Sequence, residues 1–115
     1  MTMTPQTKPT TESQIREFAA KVANEFGPDR IILFGSRARG DATPDSDTDI
    51  LVEMSFDGHP VWQAWEILKR VPRSFPLDLI VRTPTDLSNR YAQLDPIARE
   101  ALDRGVVLYE RAHAA

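Results

Sequence analysis

The chain has 115 residues, no cysteine, 27% charged side chains and a formal net charge of −3. That length fits one domain, able to bury a core without metal or disulfide staples; the missing cysteines exclude disulfides, zinc–thiolate sites and thiol catalysis. The mild acidic excess disfavours long DNA or RNA as a main ligand, and no apolar run approaches the roughly 20 residues of a membrane span.

In chain order, the Thr- and Pro-rich segment Met1–Thr10 has no apolar stretch of the signal-peptide kind. It is expected to be a disordered tail on a cytoplasmic protein, with the folded domain spanning residues 11–111. Thr11 and Gln14 have capping-box spacing. Ile15, Phe18, Ala19, Val22 and Phe26 then recur at helical spacing, and Gly27-Pro28 stops the helix. Ile31–Phe34 is a short continuous apolar run, the pattern of a strand buried on both faces. Gly35-Ser36 turns the chain, Arg37–Gly40 is expected to form one helical turn, and Asp41–Ser46 is a polar loop. Asp49–Met54 reads as a second strand. A helix follows from Pro60 to about Val71, with proline at its first position. Leu77–Arg82 is a third strand. Thr83-Pro84 and Asp95-Pro96 each open a further helix, Gly105 suits the C′ position closing the last one, and Val106–Tyr109 is a fourth strand. The pattern predicts an α/β (α+β) protein: a small mixed sheet of about four strands with helices packed on it.

The chemistry concentrates between the first two strands. Glycine has no Cβ, so the backbone amides at Gly35 can approach a phosphate closely. Ser36 adds a hydroxyl, and helical amides after it would favour an anion. Arg37 and Arg39 lie within reach, and guanidinium binds phosphate oxygens in bidentate fashion; the sequence leaves open which of the two points inward. Asp47 and Asp49 alternate at the mouth of a strand, so their side chains project to one face. Two such carboxylates repel unless a cation lies between them, and Mg²⁺ takes one or two carboxylates together with substrate phosphates and waters. Asp78 interrupts the apolar run Leu77–Val81. Burial of an unpaired carboxylate is costly, so Asp78 is expected to have a cation or a basic partner and to complete a triad. A third carboxylate accepts the proton of, or orients, an incoming nucleophile.

Gly35-Ser36, ten intervening residues, and Asp47-x-Asp49 resemble the signature of the nucleotidyltransferase superfamily that includes DNA polymerase beta. The short length and the run Gly35-Ser36-Arg37-Ala38-Arg39-Gly40 resemble in particular the minimal nucleotidyltransferases of HEPN/MNT toxin–antitoxin systems. The resemblance covers roughly Ile31 to Tyr109. It implies the polymerase beta-like nucleotidyltransferase fold, triphosphate binding by Gly35 and Ser36, and Mg²⁺, two ions, on Asp47, Asp49 and Asp78. It also implies transfer of a nucleoside monophosphate, AMP from ATP, to a hydroxyl with release of pyrophosphate. In the toxin–antitoxin members the acceptor is a tyrosine of a HEPN ribonuclease toxin, which is silenced by adenylylation, so a hetero-oligomer with such a partner is expected. Larger relatives carry an additional C-terminal domain that is not seen here.

Two rival readings stand beside this one. The first is an antitoxin that neutralises its HEPN partner by binding alone. The second is a small-molecule nucleotidyltransferase, disfavoured because such enzymes carry an acceptor domain. Among the remaining residues, Trp62 and Trp65 are expected to pack in the core, with a partner surface as the alternative. His59 and His113 are read as surface residues, Tyr91 and Tyr109 as structural. Glu53 is read as a solvated strand end, and the last helix as carrying an ordinary charged face.

Overall fold

The structure, a computed structural model, describes residues 10–112; His113 and all but the last residue of the N-terminal segment lie outside them. The elements run α1 (Glu12–Phe26), β1 (Arg30–Phe34), α2 (Ser36–Arg39), β2 (Thr48–Glu53), α3 (Pro60–Arg70), β3 (Leu77–Arg82), α4 (Pro84–Ala92), α5 (Pro96–Arg104) and β4 (Val106–Glu110). Local chemistry sets most of the boundaries. Thr11 and Gln14 form the capping box: Gln14 N–H donates to Thr11 Oγ1 and Thr11 N–H to Gln14 Oε1. Gly27 ends α1 in the left-handed region at φ 54°. His59, Thr83 and Asp95 each cap a helix whose first residue is proline. No helix among the described residues is long and apolar enough to cross a membrane.

The four strands form one sheet in the order β3-β2-β1-β4. β1 is antiparallel to both of its neighbours, whereas β2 and β3 run parallel, joined by the crossover through α3. Strand alternation divides the core in two. Ile31, Leu33, Ile50, Val52 and Val81 face α1 and α3, where they meet Ile15, Phe18, Val22 and Ile67. Ile32, Phe34 and Leu51 face α4 and α5, where they meet Leu87, Ala98 and Ala101. β1 is therefore buried on both sides, as its continuous apolar run predicts. Full burial of each such Ile or Leu contributes about 1.5–3 kcal/mol.

Several details differ from the sequence expectation. β2 begins at Thr48, one residue earlier than predicted, so Asp47 belongs to the preceding loop. Gly105 does end α5, but in extended backbone at φ −76°. Its glycine is required by proximity instead, because a Cβ there would lie 2.3 Å from the Ala101 carbonyl oxygen and 2.5 Å from Ile32 Cγ2. Trp62 and Trp65 are not core residues: they are 69% and 57% exposed on the outer face of α3, where Lys69 Nζ lies 4.9 Å from the Trp65 ring. The apolar side of α3 is instead supplied by Ile67, with Ala64 and Leu68 beside it. Glu53 is not a solvated strand end; it is 7% exposed and pairs with Arg30 at 2.5 Å at the end of the sheet remote from Gly35. Tyr91 and Tyr109 have structural roles. The Tyr91 hydroxyl donates to Asp103 at 2.7 Å, and Tyr109 packs on the α1 side of the core.

Candidate active site

The site is built where β1 leaves the sheet. Gly35 stands at φ 77°, ψ −155°, a region that side-chain-bearing residues essentially do not occupy. The reason is visible across the strand pair. Asp49 is the β2 partner of Phe34, and its carboxylate lies over the Gly35 α-carbon so closely that a Cβ would sit 2.2 Å from Oδ2. The turn then enters α2, whose first helical hydrogen bond runs from Ala38 N–H to the Gly35 carbonyl. The amides of Gly35, Ser36 and Arg37 precede that bond.

The parallel pairing of β2 with β3 places Asp78 directly beside Asp49, on strands about 4.8 Å apart. Asp47, two residues before Asp49 in the preceding loop, is close enough for its charge to act on the Asp49 carboxyl. Burial holds the Asp49 carboxyl above the ordinary carboxylate range, and the negative charges of Asp78 and Asp47 push it the same way against a smaller opposing effect of Arg39. Asp78 is not the buried carboxylate its apolar neighbours predict. β3 is an edge strand, and Asp78 is exposed near its beginning, so it needs no basic partner to be tolerated. Among the described residues, no three acidic or histidine side chains stand close enough to hold a metal by themselves. A cation at Asp49 would therefore need phosphate and water oxygens to complete its shell, which is the habit of Mg²⁺.

An open cleft of about 390 Å³ lies over this turn, lined by Phe34, Gly35, Ser36, Arg39 and Asp49 on one side and Pro96, Ile97 and Glu100 of α5 on the other. The two arginines of the motif part company here. Arg39 faces the cleft, bound to Glu100 at 2.8 Å and to Asp41 at 3.3 Å, and the hydrogen bond to Asp41, together with that carboxylate's charge, raises its pKa further. Arg37 lines a separate hollow on the α1 side of the sheet, with Ile15, Leu33, Val106 and Leu108. The structure thus brings Gly35, Ser36, Arg39, Asp47, Asp49 and Asp78 to one end of one sheet face and leaves Arg37 on the other face. The α5 wall was not legible beforehand. Glu100 reads as one charge on an amphipathic helix, and it meets Arg39 across 61 residues of sequence.

A strand, a glycine turn bearing an anion-accessible backbone and a carboxylate pair on the neighbouring strands define a nucleotidyltransferase. The nucleotidyltransferase domain family matches residues 15–108, and the chain belongs to it. It is 30% identical over 88 residues (72% of this chain and 88% of the relative) to a protein of Methanocaldococcus jannaschii provisionally assigned as a protein adenylyltransferase. A provisionally assigned nucleotidyltransferase from Sulfolobus solfataricus, known from its crystal structure, has the same fold. Its TM-score is 0.61 at 25% identity over 86% of this chain and 79% of that one. A toxin–antitoxin crystal structure with AMP-PNP matches in fold at a TM-score of 0.55, with 21% identity over 84% of this chain and 73% of that one. A variant of the MntA–HpeT toxin–antitoxin matches at 0.52, with 18% identity over the same shares, 84% and 73%.

Proposed function

We propose that this nucleotidyltransferase moves AMP from ATP to a hydroxyl of a partner protein, a tyrosine of a HEPN ribonuclease toxin, and acts in the cytoplasm as that toxin's antitoxin. The observation that carries the catalytic part is the fit of the Asp49 carboxylate onto the bare α-carbon of Gly35, with Asp78 in register beside it. The protein-acceptor part is supported by the relative assigned as a protein adenylyltransferase and by the toxin–antitoxin assemblies that share the fold.

On this reading the amides of Gly35 and Ser36, the Ser36 hydroxyl and the Arg39 guanidinium hold the triphosphate in the cleft. Arg39 exchanges contact with Glu100 and Asp41 for phosphate oxygens, a charge-assisted geometry guanidinium favours. Asp47, Asp49 and Asp78 hold Mg²⁺. When bound, the ions supply charge stabilisation to the attacking oxygen and to the pyrophosphate that leaves. The acceptor oxygen bonds to the α-phosphorus, the bond between α-phosphorus and the bridging oxygen breaks, and pyrophosphate departs. Asp78, exposed and in register with Asp49, takes the hydroxyl proton. Pro96 and Ile97 give the opposite wall an apolar surface against which the nucleoside can lie.

The test mixes the protein with ATP, Mg²⁺ and a co-encoded HEPN protein and seeks an added AMP by mass spectrometry. Wild type adds it and Asp49→Asn does not. Absence of any nucleotide adduct refutes the catalytic reading. Full toxin neutralisation by Asp49→Asn then favours neutralisation by binding alone.

A further inference from the structure

We propose that Arg37 is a positioning residue that acts from the back of the sheet, holding the loop that presents Asp47. Residues 37 and 39 sit on one four-residue helical turn, yet their side chains diverge. Arg39 reaches the cleft, and Arg37 passes to the α1 side. There Arg37 Nη2 donates to the Ser46 carbonyl at 2.7 Å, and its Nε is buried without a hydrogen-bond partner. The Ser46 carbonyl belongs to the peptide unit that carries the Asp47 amide, so a bond to it fixes the plane from which Asp47 departs.

The segment around Ser46 is organised by itself but weakly attached. Ser46 N–H donates to the Thr43 carbonyl, Thr43 N–H to Ser46 Oγ, and the two hydroxyls lie 3.1 Å apart. These bonds close the Thr43–Ser46 turn without tying it to anything else. Among the described residues, the hydrogen bond that ties Thr43–Ser46 to the body of the protein is the one from Arg37; beyond Asp47 the next anchor is Thr48 N–H, which donates to the Pro76 carbonyl at 3.1 Å. Asp47 itself is exposed and makes no side-chain hydrogen bond among the described residues, so its position depends on the backbone beneath it. The planar guanidinium suits this task, because it is less strongly hydrated than an ammonium and keeps its fork geometry when buried. The consequence for Asp47 as a metal ligand rests on the proposed function; the bracing of the loop does not.

Arg37→Met keeps the apolar stem and removes the donor. Hydrogen–deuterium exchange of residues 43–47 is then expected to accelerate about tenfold, the fold-change that loss of a hydrogen bond to a charged group corresponds to. Arg39→Met should leave that exchange unchanged. Mn²⁺ serves as the metal probe, read from the free-ion electron paramagnetic resonance signal with a non-hydrolysable ATP analogue present. Half-saturation should rise about fivefold to tenfold in Arg37→Met. The analogue's own Kd at saturating Mn²⁺ should stay within about twofold. Arg37→Lys, which keeps charge and stem, is expected to lie between wild type and Arg37→Met in exchange, and it decides the matter if Arg37→Met does not fold. Unchanged exchange at 43–47 in the Arg37 variants overturns the proposal. So does a raised analogue Kd at saturating Mn²⁺, which would make Arg37 a phosphate ligand. If wild type binds neither Mn²⁺ nor the analogue, the catalytic reading fails, and the exchange comparison still decides whether Arg37 holds the loop.

Discussion

Gly35→Ala separates the chemistry of the cleft from the stability of the fold. Two costs arise at this position. Alanine must occupy φ 77°, ψ −155°, a backbone region that costs about 1–3 kcal/mol outside glycine. On a domain of this size that lowers Tm by roughly 4–12 °C. In addition, the new Cβ lies 2.2 Å from Asp49 Oδ2, whereas ordinary contact begins at 3.4 Å, so the carboxylate must retreat by about 1.2 Å. A displacement near 1 Å at a reacting centre costs on the order of 100-fold in rate. The matched control is Gly58→Ala. It also has a positive φ, 86°, but nothing within 4 Å of the new Cβ, so it takes a left-handed penalty of about 1–2 kcal/mol and nothing else. Differential scanning calorimetry reads the first cost and AMP transfer, followed by mass spectrometry, reads the second. Both variants should melt lower, and only Gly35→Ala should lose about 100-fold in rate. A Gly35→Ala protein that transfers AMP within about twofold of wild type would refute the claim that Asp49 works from its seat on Gly35.

Other substitutions probe the surroundings of the site. Thr48 is fully buried with its hydroxyl unpartnered, so the isosteric Thr48→Val should leave stability unchanged or raise it by about 1 kcal/mol; a loss in a urea melt contradicts the orphaned hydroxyl. Trp62 and Trp65 are the chain's two tryptophans and both are exposed, so native fluorescence should be red-shifted and readily quenched by iodide, whereas shielded blue emission would place them in a core. Asp95 caps α5 by accepting from Ala98 N–H, and that bond, as the largest cause, holds its carboxyl below the ordinary range. The cap's contribution is therefore full above the unfolded carboxylate value near ~3.9 and is lost as pH falls through the lower folded value. Asp95→Ala should cost about 1 kcal/mol at neutral pH, and the gap from wild type should close in acid; a gap independent of pH denies the charge its role.

The elements were legible because short-range chemistry marks their ends. The capping box at Thr11, the prolines at 60, 84 and 96 and the glycine at 27 each do their work within four residues of chain. The Gly35-Ser36 turn was legible for the same reason, whereas the seat of Asp49 on Gly35 depends on the pairing of β1 with β2 and Asp47 lies in the loop before that strand. Partition between the two sides of the sheet was not legible. Arg37 and Arg39 are equivalent by sequence, and only the helical turn at Ser36–Arg39 sends one to each face. Asp78 reads as buried because its neighbours are apolar, but whether β3 is central or at an edge depends on strand order, which the local pattern does not contain. The tryptophans mislead in the opposite direction: large aromatic residues at helical spacing suggest a core face, and α3 fills its core side with Ile67 and Leu68. Glu100 depends on the packing of α5 over the turn, a contact between distant parts of the chain.

Asp49 makes the catalytic assignment testable without any acceptor. Its carboxylate is partly desolvated, lies beside Asp78 and Asp47 and accepts no side-chain hydrogen bond among the described residues. Among the described residues, the cation that acts on it, Arg39, is already held by Glu100 and Asp41. An ionised Asp49 therefore destabilises the empty protein, since burial without pairing penalises a charge and like charges add to the penalty. Asp49→Asn has nearly the same shape and removes that repulsion, so the empty variant should melt higher than wild type at neutral pH. Under the proposed function the order reverses with ligand. A metal–nucleotide complex at about 100 times its Kd stabilises a competent site by ~2.7 kcal/mol, and the variant, having lost the charge that holds the cation, should gain little. Calorimetric melts of both proteins, with and without Mg²⁺ and a non-hydrolysable ATP analogue, read all four states. A variant that melts below wild type when empty contradicts the uncompensated charge. A variant stabilised by ligand as strongly as wild type removes Asp49 from the metal site.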